Sequence, residues 1–222
     1  MFDNISGNYD LLNRLLSAGI DVSWRKKALK LVQNRKPEQI LDVATGTGDF
    51  AIEAYNTLKP NKMVGIDISN GMLEVGREKL KKRGMNDVEF IQADSADLPF
   101  EDNTFDLAMA AFGVRNFENL RNGLKGMVKT LKPGGEILVL EFSKPRKFPF
   151  KQLYFFYFKN VLPFIGRIIS KDSRAYTYLP ESVQAFPDGQ AFIDVMEECG
   201  LKNNTQKTLT FGIASVYHGV KA

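Results

Sequence analysis

The sequence contains one cysteine, one histidine and one tryptophan in 222 residues. A single cysteine, Cys199, excludes an internal disulfide and suits a reducing compartment. With His218 as the lone histidine, no Cys/His cluster with ligand spacing exists, so no metal is expected. The same scarcity argues against a nucleophilic hydrolase. His218 lies in a late β-like run, where a structural role is expected. No apolar run approaches about eighteen residues, so no segment is expected to span a membrane. The Leu- and Met-containing start is not a secretory signal, because Asp3, Asp10 and Arg14 interrupt it. Internal repeats and low-complexity tracts are absent. A strong charge imbalance is missing too: 30 Lys and Arg face 26 Asp and Glu, a net charge of +4. That excess does not by itself argue for nucleic acid, and none is expected as a partner.

What is present is an ordinary globular composition, 44% hydrophobic and 25% charged, at a length that suits one domain. Short apolar runs alternate with amphipathic stretches. Ile40 to Val43 reads as a first strand, followed by a glycine loop and a helix to about Leu58. Met63 to Asp67 reads as a second strand, with Ser69 as N-cap and Gly84 as stop of the next helix. Val88 to Ile91 and Phe105 to Met109 are the third and fourth strands. A helix over Leu120 to Leu131 precedes the turn Lys132-Pro133-Gly134-Gly135 and a fifth strand, Ile137 to Leu140. The alternation predicts an α/β, Rossmann-like fold with a mostly parallel sheet and helices on both faces. A helical piece, Asp10 to Gln33, precedes the first strand. After a helix from Asp188 to Cys199, the runs Gln206 to Thr210 and Ile213 to Gly219 predict a C-terminal antiparallel strand pair. Such a pair is commoner in methyltransferases than in dehydrogenases.

The central motif is Asp42-Val43-Ala44-Thr45-Gly46-Thr47-Gly48-Asp49. Gly46 and Gly48 allow a tight turn after a strand and close approach of a ligand. Asp67, ending the second strand, is placed to accept both ribose hydroxyls of an adenosine cofactor. Asp94, ending the third, could reach an adenine edge. The run Gly46 to Ala51 also fits a dinucleotide fingerprint, which makes an NAD-dependent oxidoreductase the rival reading. Asp49 next to Gly48 would repel a pyrophosphate at the helix start. S-adenosylmethionine (SAM) carries a sulfonium and an ammonium instead, which suit carboxylates at Asp42, Asp49 and Asp94. A loop that merely joins strand to helix is the bland alternative.

The motifs extend further. Phe2-Asp3-Asn4-Ile5, Tyr9-Asp10-Leu11-Leu12-Asn13, Ser17 and Trp24-Arg25 form a first group. Phe112-Gly113-Val114-Arg115-Asn116 and Leu131 to Gly135 running on to Glu141-Phe142-Ser143 form a second. Tyr178 to Ser182 and Phe211 to Ala214 form a third. On these residues the chain resembles, over nearly its whole length, the C-methyltransferases of menaquinone and ubiquinone biosynthesis. One position departs: the N-terminal signature has histidine where this chain has Asp21. Family members begin upstream of the Phe-Asp pair, so Met1 is not taken as the native start.

The resemblance implies SAM-dependent C-methylation of a polyprenylated quinol ring, demethylmenaquinol first and 2-methoxy-6-polyprenyl-benzoquinol as the alternative. A methyltransferase for another small molecule or for RNA is more distant. Carried over by position, the SAM contacts fall on Thr47, Asp67, Asp94 and Ser95, beside the loop glycines Gly46 and Gly48. Ring carbon attacks a methyl group only once a ring hydroxyl loses its proton, and a phenol has a pKa of about 10. Arg115 and Asn116, following the fourth strand, are the candidates to stabilise a phenolate and orient a ring oxygen. Tyr9, on the N-terminal piece, could fold over the site and contribute its hydroxyl. The plainer reading pairs Arg115 with an acid and packs Tyr9.

Residues 144 to 171 contain no acid but seven Lys or Arg, with Phe and Tyr interleaved. Such a stretch suits an anionic membrane surface, single-stranded nucleic acid, or a lid with a solvated basic rim. The resulting expectation is a single methyltransferase domain over 1–222: a helical cap (1–36), a cofactor core (37–143), a basic aromatic lid (144–187) and a C-terminal helix with the strand pair (188–222). A cytoplasmic protein is expected, with the inner face of the membrane as the place of any peripheral contact.

Overall fold

The computed structural model describes residues 19–157, Asn160 and residues 174–222. The helical expectation over Asp10 to Gln33 falls partly outside those residues. Within them, α1 spans Ile20–Leu29. Then follow β1 (Gln39–Val43), α2 (Asp49–Leu58), β2 (Lys62–Asp67), α3 (Asn70–Arg83), β3 (Val88–Gln92) and β4 (Phe105–Ala111). The remaining elements are α4 (Leu120–Thr130), β5 (Leu131–Phe142), α5 (Phe150–Phe156), α6 (Arg174–Ala185), α7 (Gln190–Glu198), β6 (Leu201–Leu209) and β7 (Ala214–Lys221).

Seven strands form one sheet in the order β3-β2-β1-β4-β5-β7-β6. The pairs from β3 across to β5 are parallel, and β7 runs antiparallel to both β5 and β6. The strand order therefore reverses between β1 and β4, and a crevice opens at the carboxyl ends of strands at such a switch point. Successive strand residues face opposite layers. Ile40, Met63, Leu107, Met109 and Leu138 pack with Trp24 and Leu29 of α1, Phe50 and Ala54 of α2, and Leu73 and Leu80 of α3. Leu41, Val64, Ala108, Ile137 and Val139 pack on the other side with Leu124 and Met127 of α4 and Phe192 and Met196 of α7. Burial on both faces explains why these strands read as continuous apolar runs.

Local chemistry sets the element ends. The Ser69 hydroxyl accepts from the Met72 amide at the start of α3, and Gly84 closes that helix in a left-handed conformation. The Asn119 side chain caps α4 in the same way. Two boundaries differ from expectation. The segment Lys132 to Gly135, read as a turn, lies within β5. Leu131 pairs with Phe105, the register then shifts, and Glu136 pairs with Leu107, so the intervening residues bulge out. The strand β6 begins at Leu201, earlier than expected. Its first residues, Lys202 to Asn204, are polar because it pairs only with β7, and a register shift interrupts it there. Among the described residues, no helix is long and apolar enough to cross a membrane.

Candidate active site

The site begins where β1 ends. Ala44, Gly46 and Gly48 all take positive φ, 57°, 57° and 80°, so the chain reverses within five residues. Gly48 is required twice over: a Cβ there would sit 2.4 Å from Phe90 Cζ. At Gly46 nothing lies within 4 Å of a Cβ position, so only its backbone conformation is restrictive and its outer face is open. The turn is held by Thr45 N donating to Ile66 O at 2.8 Å and Gly48 N to Thr45 O at 2.9 Å.

Asp67 ties this loop to the next one. Its Oδ2 accepts from Gly46 N at 2.8 Å and its Oδ1 from Ser69 N at 2.9 Å. Asp67 also lines the cleft. Asp94 and Ser95, after β3, line the same cleft. The Asp94 carboxylate accepts from Ala96 N at 2.9 Å, which shapes the loop around it. Across the cleft, the carboxyl end of β4 contributes Phe112, Asn116 and Phe117. Thus Gly46, Asp67, Asp94, Ser95 and Asn116 come together as expected. Thr47 and Gly48 do not: both are buried under the loop, behind the surface that faces the cleft.

Three further expectations need correction or fall elsewhere. Arg115, the candidate phenolate partner, turns away from the cleft. Its guanidinium donates to Glu141 Oε1 at 2.8 Å and to the Phe112 carbonyl, and lies 5.3 Å from the Phe142 ring centroid. The cause is the buried Glu141 carboxylate, which otherwise would have only backbone donors, Phe142 N and Arg115 N. Burial pushes Glu141 above the usual carboxylate range, and the Arg115 charge opposes that shift. Asp49, expected to repel a pyrophosphate, is compensated by Lys79 at 2.7 Å and Arg25 at 3.6 Å. Its charge therefore does not act alone at the start of α2. Tyr9 lies outside the described residues.

Asp42 is fully buried, and burial pushes it up to about 7. The Thr45 hydroxyl donates to its Oδ2 at 2.7 Å, while Oδ1 has no hydrogen-bond partner. Asp42 lies beneath the loop and outside the cleft lining. Asp21, the position that departs from the family signature, pairs with Arg25 at 2.8 Å and so joins α1 to the Asp49 pair. His218 Nε2 lies 3.3 Å from Glu136 Oε2, and the other oxygen of that carboxylate, Oε1, meets Arg35 at 3.1 Å, in keeping with a structural role.

Sequence reasoning missed Ile68, Phe112, Phe117 and Tyr178. Ile68 follows Asp67 and remains 64% exposed in the cleft, an apolar face beside the acid. Phe112 has φ 57°, an uncommon conformation for an aromatic residue. Tyr178 donates its hydroxyl to Asn116 Oδ1 at 3.0 Å, which leaves the Asn116 amide hydrogens for the cleft. An apolar residue directly after a strand-ending acid is a usable signal for Ile68. Tyr178 stands in one of the motifs that carry the resemblance, but nothing local pairs it with Asn116, 62 residues away.

A model of the ubiE/COQ5 methyltransferase family matches residues 1–221. The chain is 48% identical over 222 residues to the demethylmenaquinone methyltransferase of Bacteroides fragilis, covering all of this chain and 91% of that protein. It is 44% identical over 219 residues to the demethylmenaquinone methyltransferase of Thermus thermophilus, covering 99% of each. A Geotalea daltonii protein named ubiquinone/menaquinone biosynthesis C-methyltransferase UbiE is 48% identical over 223 residues, covering all of this chain and 94% of that one. Among solved structures, a Thermotoga maritima SAM-dependent methyltransferase, described as a possible histamine N-methyltransferase, superposes with a TM-score of 0.71. It is 19% identical, with 100% of this chain and 98% of that one covered, and shows the shared fold.

Proposed function

The chain belongs to the ubiE/COQ5 methyltransferase family, and from that membership we propose that it transfers the methyl group of SAM to a ring carbon of a polyprenylated quinol, converting demethylmenaquinol to menaquinol. The observation that carries this reading is the two-sided character of the cleft. The side at β2 and β3 carries Asp67, Asp94 and Ser95; the side after β4 carries the rings of Phe112 and Phe117, with Asn116 and Glu118 as its polar groups. The first suits an adenosine and the second a fused aromatic ring, with Asn116 as a donor.

The residues fit SAM. Asp67 would accept the ribose hydroxyls, Ile68 would cover the adenine, Asp94 and Ser95 would meet its edge, and Gly46 would allow close approach. Thr47 supports the loop from beneath, and Gly48 permits its packing on Phe90. When bound, SAM supplies a methyl group activated by an adjacent sulfonium. The chain's own task is to hold the ring carbon in line with that methyl, which can lower a barrier by several kcal/mol. Asn116 donates to a ring oxygen and favours its ionised form, which makes the ring carbon nucleophilic. Arg115 acts through Asn116, by fixing the turn Val114–Asn116 against Glu141. Tyr9 is a further candidate to close over the ring.

A polyprenyl tail holds the substrate in a bilayer, so the enzyme is a cytoplasmic protein that works at the inner membrane face. The relatives named for both quinone pathways favour one second reading, 2-methoxy-6-polyprenyl-benzoquinol as substrate. The test uses methyl-labelled SAM with each reduced quinol and with RNA, reading product mass. Labelled menaquinol is expected. Label only in the benzoquinol product selects the second reading, and label only in RNA overturns both.

A further inference from the structure

Seven large apolar side chains stand exposed among the described residues, and four of them belong to one region. Phe148, Leu153 and Phe156 are 79%, 61% and 62% exposed, and Phe211, in the turn between β6 and β7, is 66% exposed. The two pieces are joined by a ring stack: Phe150 and Phe211 lie 3.8 Å apart between centroids and 4° from parallel. On α5, Phe150, Leu153 and Phe156 follow at intervals of three and are surface neighbours. Phe211 is held outward by a backbone with φ 57°. Exposed cations border the patch. Lys144 is engaged by Asp188 at 3.1 Å, whereas Lys147 and Lys151 make no ion pair among the described residues.

We propose that this composite face, Phe148, Leu153, Phe156 and Phe211 with Arg146, Lys147 and Lys151, docks on an anionic lipid bilayer. The charge sign selects anionic headgroups, and the exposed apolar side chains supply insertion. A bilayer fits better than single-stranded RNA. Leu153 offers no ring for a base, and one face each of Phe150 and Phe211 is already covered by the other. The face is also continuous with the cleft. Ser143 Oγ donates to Gly212 O at 2.8 Å beside Phe211, the adjacent Phe142 ring lies 4.6 Å from Phe112, and Phe112 lines the apolar end of the cleft. A quinol ring leaving the bilayer there would enter the cleft on the side that Phe112 lines. That last step rests on the quinol reading; the docking itself does not.

The test is co-sedimentation of the full chain with phosphatidylcholine vesicles with and without phosphatidylglycerol, at low and high salt. The protein is expected to pellet with the anionic vesicles, less so in high salt. Lys147→Gln with Lys151→Gln should weaken partitioning by roughly 30-fold, about fivefold for each cation lost. Leu153→Ser with Phe156→Ser, which leaves the Phe150–Phe211 stack in place, should weaken it by about 10-fold or more. Melting temperature and turnover of a soluble short-tailed quinol should stay unchanged in both variants, while turnover of a vesicle-embedded long-tailed quinol falls. Wild-type protein that stays in the supernatant overturns the proposal. So do variants that both pellet like wild type, or binding to single-stranded RNA without binding to vesicles. If no quinol is methylated, the substrate reading fails, and sedimentation still decides the docking.

Discussion

Arg115 and Glu141 form a buried ion pair, 2.8 Å between guanidinium nitrogen and carboxylate oxygen, in which the carboxylate has no exposed surface. The pair fastens the turn that presents Asn116 to the end of β5. Removing one member leaves an uncompensated buried charge.

Arg115→Ala is therefore expected to destabilise the fold by about 3–5 kcal/mol, read as a lower midpoint in denaturant unfolding. Turnover should fall with it, and raising the pH should not restore turnover. Glu141→Gln combined with Arg115→Met should recover most of the stability but leave turnover low, because Asn116 loses its setting. Full activity in a well-folded double variant would show that the turn holds itself.

Asp42 gives stability a specific pH dependence. Its carboxyl is raised from 3.8 to about 7 in the folded chain, so the folded state binds this proton more tightly than the unfolded state. Its contribution is complete below the unfolded value and is lost as pH rises toward 7. The loss amounts to something on the order of 4 kcal/mol. Asp42→Asn should flatten unfolding free energy between pH 4 and 7 and raise it above that window. A pH profile parallel to wild type would remove Asp42 as the cause.

Asp67 holds two loop amides and is the expected ribose acceptor. Hydrogen bonds to a charged group contribute roughly 1.5–3 kcal/mol, so Asp67→Ala should raise the SAM dissociation constant about 10- to 150-fold. Titration calorimetry measures this directly. NAD and NADP should leave the wild-type melting temperature unmoved, whereas SAM raises it.

Two loop glycines should respond in opposite ways. Gly48→Ala meets Phe90 as well as a positive φ, and should cost roughly 2–4 kcal/mol of stability. Gly46→Ala meets open space, so its fold cost is only the left-handed backbone, about 1–2 kcal/mol. Its methyl group projects toward the cleft side and should weaken SAM binding more than stability. Equal melting shifts with equal affinities would contradict the distinction.

The sequence by itself determined the strands, the glycine turn and the acids at strand ends. These are local: a short apolar run, a positive-φ requirement and an acid where a strand ends are readable within a few positions. Parallel pairing then carries Asp67 and Asp94 to one edge, since all strands from β1 to β5 end on the same side. Tertiary structure alone decided which charges are compensated and which side chains reach the cleft. Asp49 meets Lys79 thirty residues away, Arg115 meets Glu141 twenty-six residues away, and Phe150 stacks on Phe211 from another element. Thr47, placed in the site by the family resemblance, is buried beneath the loop. The physical reason is common to all of these. Propensity and pattern act through the nearest few residues, whereas a carboxylate's partner is whichever cation the folded sheet brings within about 4 Å.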